Sequence, residues 1–189
     1  MNTLDCIAGR RSIRKFKDVP LPDEAIRQIL QAGILAPSGK NRQPWHFYVV
    51  RENRRSEMLQ VMRAGIEKHK AAGEHPGSSE HSAAIMEQAP VTVFIFNPYQ
   101  EKRLASFEDH LWNVVDVQSI GAAIQNMHLA ANELGIGALW ICDIFYAYDE
   151  LCAWLGEEHQ MIAAVSFGYA DEQPAARPRK PIETLTTWL

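Results

Sequence analysis

Residues 10–17 read RRSIRKFK, five cations in eight positions of a chain whose formal net charge is −4. A second cluster, Arg177, Arg179 and Lys180, lies within AARPRKP near the other end of the chain. Arginine forks match phosphate geometry, and each charge-assisted hydrogen bond contributes about 1.5 to 3 kcal/mol. Three or four such bonds would supply much of the roughly 8 to 11 kcal/mol of a ligand held at micromolar to tens-of-nanomolar concentration. The chemistry these residues suit is therefore the holding of one anion by two distant segments. Read by itself, the first cluster is equally a solvated, salt-bridged surface, although Ile13 and Phe16 interrupt it with side chains that favour burial. Neither cluster belongs to a familiar phosphate loop, since G-x-G-x-x-G and G-x-x-x-x-G-K-[ST] are both absent from the sequence.

Other reactive residue types are sparse in pattern. Cys6, Cys142 and Cys152 are odd in number and lack C-x-x-C spacing. Cys142 as a redox thiol competes with the commoner inert packing. His69, His75 and His81, with Glu74 and Glu80 between them, repeat every six residues, which fits neither a helical i, i+4 ligand pair nor a finger. No metal site is expected, and no acid–base pair or nucleophilic triad stands out.

At 189 residues, 47% hydrophobic and 22% charged, the chain reads as one domain over 1–189 with an ordinary globular core. The mildly acidic balance argues against a protein that coats nucleic acid. No signal peptide and no apolar run near the roughly 18 residues of a membrane span are read, so the expectation is a cytoplasmic protein without a membrane partner.

The elements that must position the cations alternate between helix and strand. Asn2 and Thr3 offer caps for a short helix to about Gly9. A second helix starts at Pro22, with Asp23 and Glu24 in its first turn and Ile26, Ile29, Leu30, Gly33 and Ile34 on one stripe, and should stop at Ala36-Pro37. Pro37 to Trp45 is a polar turn ahead of a strand HFYVV. Residues 53–72 read as a helix, 73–81 as the least structured stretch, and 90–96 as a buried strand. The longest helix should run from about His110 to Leu134, with small residues at Gly121, Ala122, Ala123, Ala130 and Ala131 that permit close contacts, including with a second subunit. A strand at 137–142, a helix around DELCAWLG and a strand at 163–170 complete the reading.

RRSIRKF, APSGKNRQPWHFYVV, GAAIQNMHLAANELGIGALWI and GYADEQPAARPRKP, in this order and spacing, resemble the nitroreductase family of flavin enzymes. The resemblance covers nearly the whole chain and is weakest between about residues 67 and 88. It implies an α+β fold, a three-layer sandwich whose mostly antiparallel central sheet is flanked by helices, in an entwined homodimer with an FMN in each of two interface sites. Carried over by position, Arg10, Arg11, Ser12 and Arg14 match the motif that holds the FMN phosphate and ribityl chain, and Arg177 and Arg179 match the tail that closes on the same phosphate. Pro37, Ser38 and Gly39 match the loop that reaches the flavin across the interface. Gln43 and Trp45 fall in the Q-P-W signature, with Trp45 expected to pack. Ser119 falls where a polar side chain meets the ring. Trp140, Ile141 and Cys142 match the strand end over the ring, where a backbone N–H reaches the flavin N5 region. Cys142-Asp143 departs from the glycines of many relatives at that point, which bears on the size of the substrate pocket.

The implied activity is ping-pong transfer of two electrons from NADH or NADPH through FMN to a small acceptor such as a nitroaromatic or a quinone. The flavin carries the chemistry, so no catalytic side chain is assigned. Lys40 is a candidate contact for the acceptor or the nicotinamide phosphate. Two other readings stand beside this one. The first is a specialised member of the same family, in reductive dehalogenation, dehydrogenation or flavin breakdown. The second is a non-enzymatic module whose basic clusters bind a polyanion.

Overall fold

A computed structural model of the chain describes residues 2–101 and 107–189. Among these residues six helices and four strands follow in the order α1 (Thr3–Gly9), α2 (Asp23–Ile34), β1 (His46–Arg51), α3 (Arg54–Ala71), α4 (Ser79–Gln88), β2 (Val91–Glu101), α5 (Phe107–Glu133), β3 (Gly137–Ile141), α6 (Tyr148–Leu155) and β4 (His159–Gly168), with short 3-10 turns at Gly39–Asn41, Asp143–Ala147 and Ile182–Thr184. The strands form one sheet in the order β1-β2-β4-β3, antiparallel throughout.

Period-two alternation sorts the side chains of the sheet between two cores. Val91, Val93 and Ile95 of β2 and Ala163, Val165 and Phe167 of β4 pack with Ile26 and Ile29 of α2 and Ile120, Ile124 and Met127 of α5. On the opposite face Phe94, Phe96, Ala164, Leu139 and Ile141 meet Met58, Met62 and Ile66 of α3, Met86 of α4 and Leu151 of α6. Helix, sheet and helix make three layers, the expected α+β sandwich. Where the strand alternation puts Thr92 opposite Ser166, the two buried hydroxyls bond each other at 2.8 Å, which satisfies groups that would otherwise be costly to bury. Among the described residues no helix is long and apolar enough to cross a membrane.

Several expected boundaries shift. The stretch 73–81 ends inside a helix, since α4 begins at Ser79 and buries Ser79, Ser82, Ala83, Ile85 and Met86. Its buried positions do recur at i, i+3, i+4 and i+7, opposite the exposed Glu80, His81, Glu87 and Gln88, but the first two of them are serines, so the stripe carries little apolar signal. β2 continues past Phe96 to Glu101 through register shifts after Ile95 and Asn97, and β4 starts at His159 rather than at 163. Its polar first residues His159 and Gln160 pair with Glu101 and Asn97 at the irregular end of the ladder, where alternation fails as a signal. The central helix is buried along Ile120, Ala123, Ile124, Met127 and Ala131, yet Leu111 and Val114 on its first half stand more than half exposed.

Candidate functional site

The basic segment is held as an extended strip between two parts of the chain that follow it by more than a hundred residues. Ser12 bridges Ala138 of β3 in parallel and Phe16 bridges Ala170 in antiparallel. Ile13 N donates to Ala138 O at 3.1 Å, Lys17 N to Tyr169 O at 2.9 Å, and Asp171 N to Lys15 O at 2.9 Å. Glu172 adds a carboxylate that accepts from the backbone N–H of Arg14 and, at 3.2 Å, from that of Lys15. Ile13 and Phe16 are buried in the core, each contributing about 1.5 to 3 kcal/mol of burial. The alternation of charge with apolar residues is thus an anchoring pattern.

That pairing brings Arg10, Arg11, Ser12, Arg14, Arg177 and Arg179 onto one cavity of about 390 Å³. The guanidinium groups make their hydrogen bonds to backbone carbonyls: Arg11 Nη1 to Ala8 O at 2.7 Å and Arg10 O at 2.9 Å, Arg14 Nη1 to Ser12 O at 3.3 Å, and Arg179 Nη1 to Arg177 O at 3.1 Å and Pro178 O at 3.3 Å. Each group has five N–H donors, so most of the donors remain for a bound anion. The donor set and the volume fit a phosphate monoester.

A second cavity of about 360 Å³ shares Arg10, Arg11 and Pro174 with the first and continues along β3 and α5 to Ala138, His128 and Asn132. His128 is 3% exposed, and among the described residues neither of its ring nitrogens has a hydrogen-bond partner. Burial, and then the charge of Arg10, lower its pKa to about 4, so the imidazole is neutral at physiological pH. His128 was not among the sequence candidates. It sits in the run IQNMHLAAN, where a histidine among amide and apolar neighbours carries no local sign of function.

At the end of β3 Trp140 is 39% exposed and stacks on His128, with ring centroids 6.3 Å apart and an interplanar angle of 26°. Ile141 points into the core, leaving only its backbone at this edge. Cys142 is exposed. Partial burial of its sulfur among its neighbours, reinforced by Asp143, raises the pKa of the thiol, which keeps it protonated and a poor nucleophile. Asp143 is turned toward the start of α4, where its Oδ2 accepts from Ser78 Oγ at 2.8 Å and Ser82 Oγ at 2.5 Å. Of the two side chains that the resemblance sets in place of glycine, the carboxylate is tied back by these serines and Cys142 remains exposed.

Pro37, Ser38, Gly39, Lys40 and Ser119 do not line the basic cavity of their own chain. They form a separate assembly on α5. Ser119 Oγ donates to Val115 O at 2.8 Å and accepts from Gly39 N at 3.3 Å, and Ser38 Oγ accepts from Gln43 N at 3.0 Å. Lys40, Asn41 and Gln43 all have positive φ, between 50° and 55°, a sparsely populated conformation that recurs where loops are held for function. Lys40 Nζ lies 5.1 Å from the centre of the Trp112 ring. Arg42, unmarked by any sequence pattern, lies over the rings of Tyr99 and Trp112 and pairs with Asp116. Trp45 packs against the core of α2 and α5. His69 pairs with Glu74 and Lys70 with Glu80, and no group of three or more potential ligands among the described residues could hold a metal.

A model of the nitroreductase family matches residues 7–169. The chain belongs to the nitroreductase family. This nitroreductase-family chain is 37% identical over 140 residues to a protein of Methanothermobacter thermautotrophicus provisionally named NADH dehydrogenase/NAD(P)H nitroreductase, a match covering 74% of the chain and 60% of that relative. It is 31% identical over 183 residues to a provisionally named NAD(P)H nitroreductase of Bacillus subtilis, covering 94% of the chain and 89% of the relative. A provisionally assigned nitroreductase from Desulfovibrio desulfuricans, crystallised in complex with FMN, superposes with a TM-score of 0.76 at 31% identity, covering 100% of this chain and 98% of that one. The chain thus spans less than two thirds of the first of these relatives and nearly all of the other two.

Proposed function

We propose that the protein is an FMN-dependent NAD(P)H oxidoreductase that works as a homodimer and passes two electrons, by a ping-pong route, to an electron-poor acceptor such as a nitroaromatic or a quinone. The observation that carries this reading is the convergence of Arg10, Arg11, Ser12, Arg14, Arg177 and Arg179 on one cavity. The names of the Methanothermobacter and Bacillus relatives and the FMN of the Desulfovibrio structure support it.

When bound, FMN would supply hydride acceptance and two-electron transfer. The chain's residues then have distinct tasks. The arginines neutralise the phosphate and Ser12 adds a hydroxyl. The backbone N–H groups at Cys142 and Asp143 are donors that survive the loss of glycine, since any residue but proline supplies one. Trp140 covers the apolar side of the same edge. Pro37, Ser38, Gly39 and Ser119, remote from the chain's own basic cavity, would serve the site of the second subunit, with Lys40 beside them at the acceptor. Leu111, Val114 and Val117, the exposed apolar residues of α5, are the surface that subunit would cover. The reading includes one FMN-binding domain over 1–189 and a reducing, cytoplasmic setting in which the three cysteines stay free.

The test is the visible spectrum of the purified protein, supplemented with FMN, before and after anaerobic addition of NADH or NADPH. A flavin band that bleaches is the expected result. A band that persists shifts the reading to the specialised branches of the family, and failure to take up FMN overturns it.

A further inference from the structure

We propose that His128 is a cofactor-binding residue whose imidazole hydrogen-bonds the hydroxyls of the ribityl chain of FMN, in the cavity that runs from Arg10 along the first residues of β3 to Ala138. The inference rests on the reading of the adjoining basic cavity as the phosphate site.

His128 is 97% buried, yet both its ring nitrogens lack a partner among the described residues. Buried polar groups in folded proteins are overwhelmingly satisfied, and one left unsatisfied carries its full desolvation cost. Two orphaned nitrogens on one ring, bordering a cavity of about 360 Å³, therefore point to a polar group that is present when the protein works. The position of the cavity identifies that group. Arg10 and Arg11 are common to both cavities, whereas Arg14, Arg177 and Arg179 border only the first. The anion belongs to the cation-rich end. Beyond Ala138, where the lining ends, the indole of Trp140 stacks on the imidazole and lies at the strand edge that the proposed function assigns to the flavin ring. The stretch between them lies where the polyol joins phosphate to ring. The chemistry agrees, because a neutral imidazole offers one N–H donor and one acceptor. A hydroxyl complements both, whereas a phosphate oxygen complements only the donor.

The test titrates the apoprotein with FMN, riboflavin and lumiflavin, following quenching of flavin fluorescence, for wild type, His128→Leu and His128→Gln. Lumiflavin lacks the polyol and the phosphate, and riboflavin lacks only the phosphate. His128→Leu is expected to weaken FMN and riboflavin alike by roughly 5- to 10-fold and to leave lumiflavin unchanged. His128→Gln, which keeps a donor and an acceptor, should recover most of the loss. As a folding control, apo His128→Leu should melt about 2 to 4 °C above apo wild type, because it removes an unsatisfied buried group. A residue serving only to pack would instead lose stability. Unchanged FMN affinity in His128→Leu overturns the proposal, as does an equal loss with lumiflavin, or a loss with FMN that is absent with riboflavin. If wild type binds FMN and His128→Leu matches it, only this inference falls. If wild type does not bind FMN at all, the flavin reading falls with it.

Discussion

Arg42 and Asp116 meet in a two-pronged ion pair, Nε to Oδ1 and Nη2 to Oδ2 both at 3.2 Å, with the carboxylate side chain 1% exposed and the guanidinium 29% exposed. The pair fastens the 37–45 loop to α5, and Asn97 Nδ2 donates to the same carboxylate at 3.4 Å. The unequal burial predicts unequal costs. Arg42→Met leaves a buried carboxylate with little but Asn97 and should cost about 3 to 5 kcal/mol of unfolding free energy. Asp116→Asn leaves a cation that reaches water and the Tyr99 and Trp112 rings, and should cost roughly 1 to 2 kcal/mol. Urea denaturation of the two variants checks the order.

The basic cavity predicts a selective loss of cofactor. Arg10→Ala and Arg14→Ala should each weaken FMN by roughly 10- to 150-fold, the equivalent of one charge-assisted hydrogen bond, and should affect riboflavin far less. Lys180, next to Arg179 but outside the cavity lining, is the control, and Lys180→Ala should bind FMN within about twofold of wild type. Fluorescence titration of the apoproteins separates these outcomes. Unchanged FMN affinity in both arginine variants would remove the phosphate assignment.

Gly39 makes the loop's approach to α5 possible. A Cβ at this position would lie 2.3 Å from Val115 Cγ1, far inside contact distance. Gly39→Ala should therefore displace the loop, break the 3.3 Å bond from Gly39 N to Ser119 Oγ and cost about 1 to 3 kcal/mol. Adding Val115→Ala to Gly39→Ala deletes the obstructing methyl. Recovery of the melting temperature in the double variant is the expected sign that this one contact sets the loop position.

Glu157 predicts where acid sensitivity sets in. Burial would push its pKa up, but hydrogen bonds from His159 N, Tyr48 Oη, the His159 ring and Glu158 N together lower it from 4.5 to about 2. A carboxylate held down in the folded state stabilises the fold above its ordinary value, and that contribution is lost as pH falls from about 4.5 to about 2. Tyr48→Phe removes the 2.8 Å bond from the phenol. It should cost about 1 kcal/mol at neutral pH, with the deficit shrinking toward pH 2 as the carboxylate protonates in both proteins. Urea midpoints across this range test the sign, and a deficit that does not change with pH would sink the assignment.

The parts of the site that could be read in the chain were those whose signal is local. RRSIRKFK and RPRK stand out by charge density, and the interruptions at Ile13 and Phe16 already indicated a segment fixed to a core. α2 announced itself by its stripe and acidic first turn, and the strand HFYVV by its β-branched and aromatic residues. α4 escaped because Pro76 and Gly77 just ahead of it resemble a loop and because its buried stripe begins with the polar residues Ser79 and Ser82. The ends of β2 and β4 escaped because polar residues pair there across register shifts. The orientation of Asp143 could not be read at all, since it depends on Ser78 and Ser82, more than 60 residues earlier in the chain.

By itself the amino-acid sequence determined which side chains were available, the alternation that divides each strand between two cores, and a family resemblance strong enough to name a phosphate-bearing cofactor. Only the tertiary structure decided which of those side chains meet. Arg14 and Arg177 share a cavity because residues 12–17 pair with Ala138 and with 169–171, a contact between segments whose separation along the chain leaves no periodic trace. His128 becomes a candidate ligand for the same reason. In the sequence it is one of several polar residues in a mixed helix, and its two nitrogens without a partner among the described residues and the cavity beside the ring exist only once α5 has packed against β3 and the N-terminal strip.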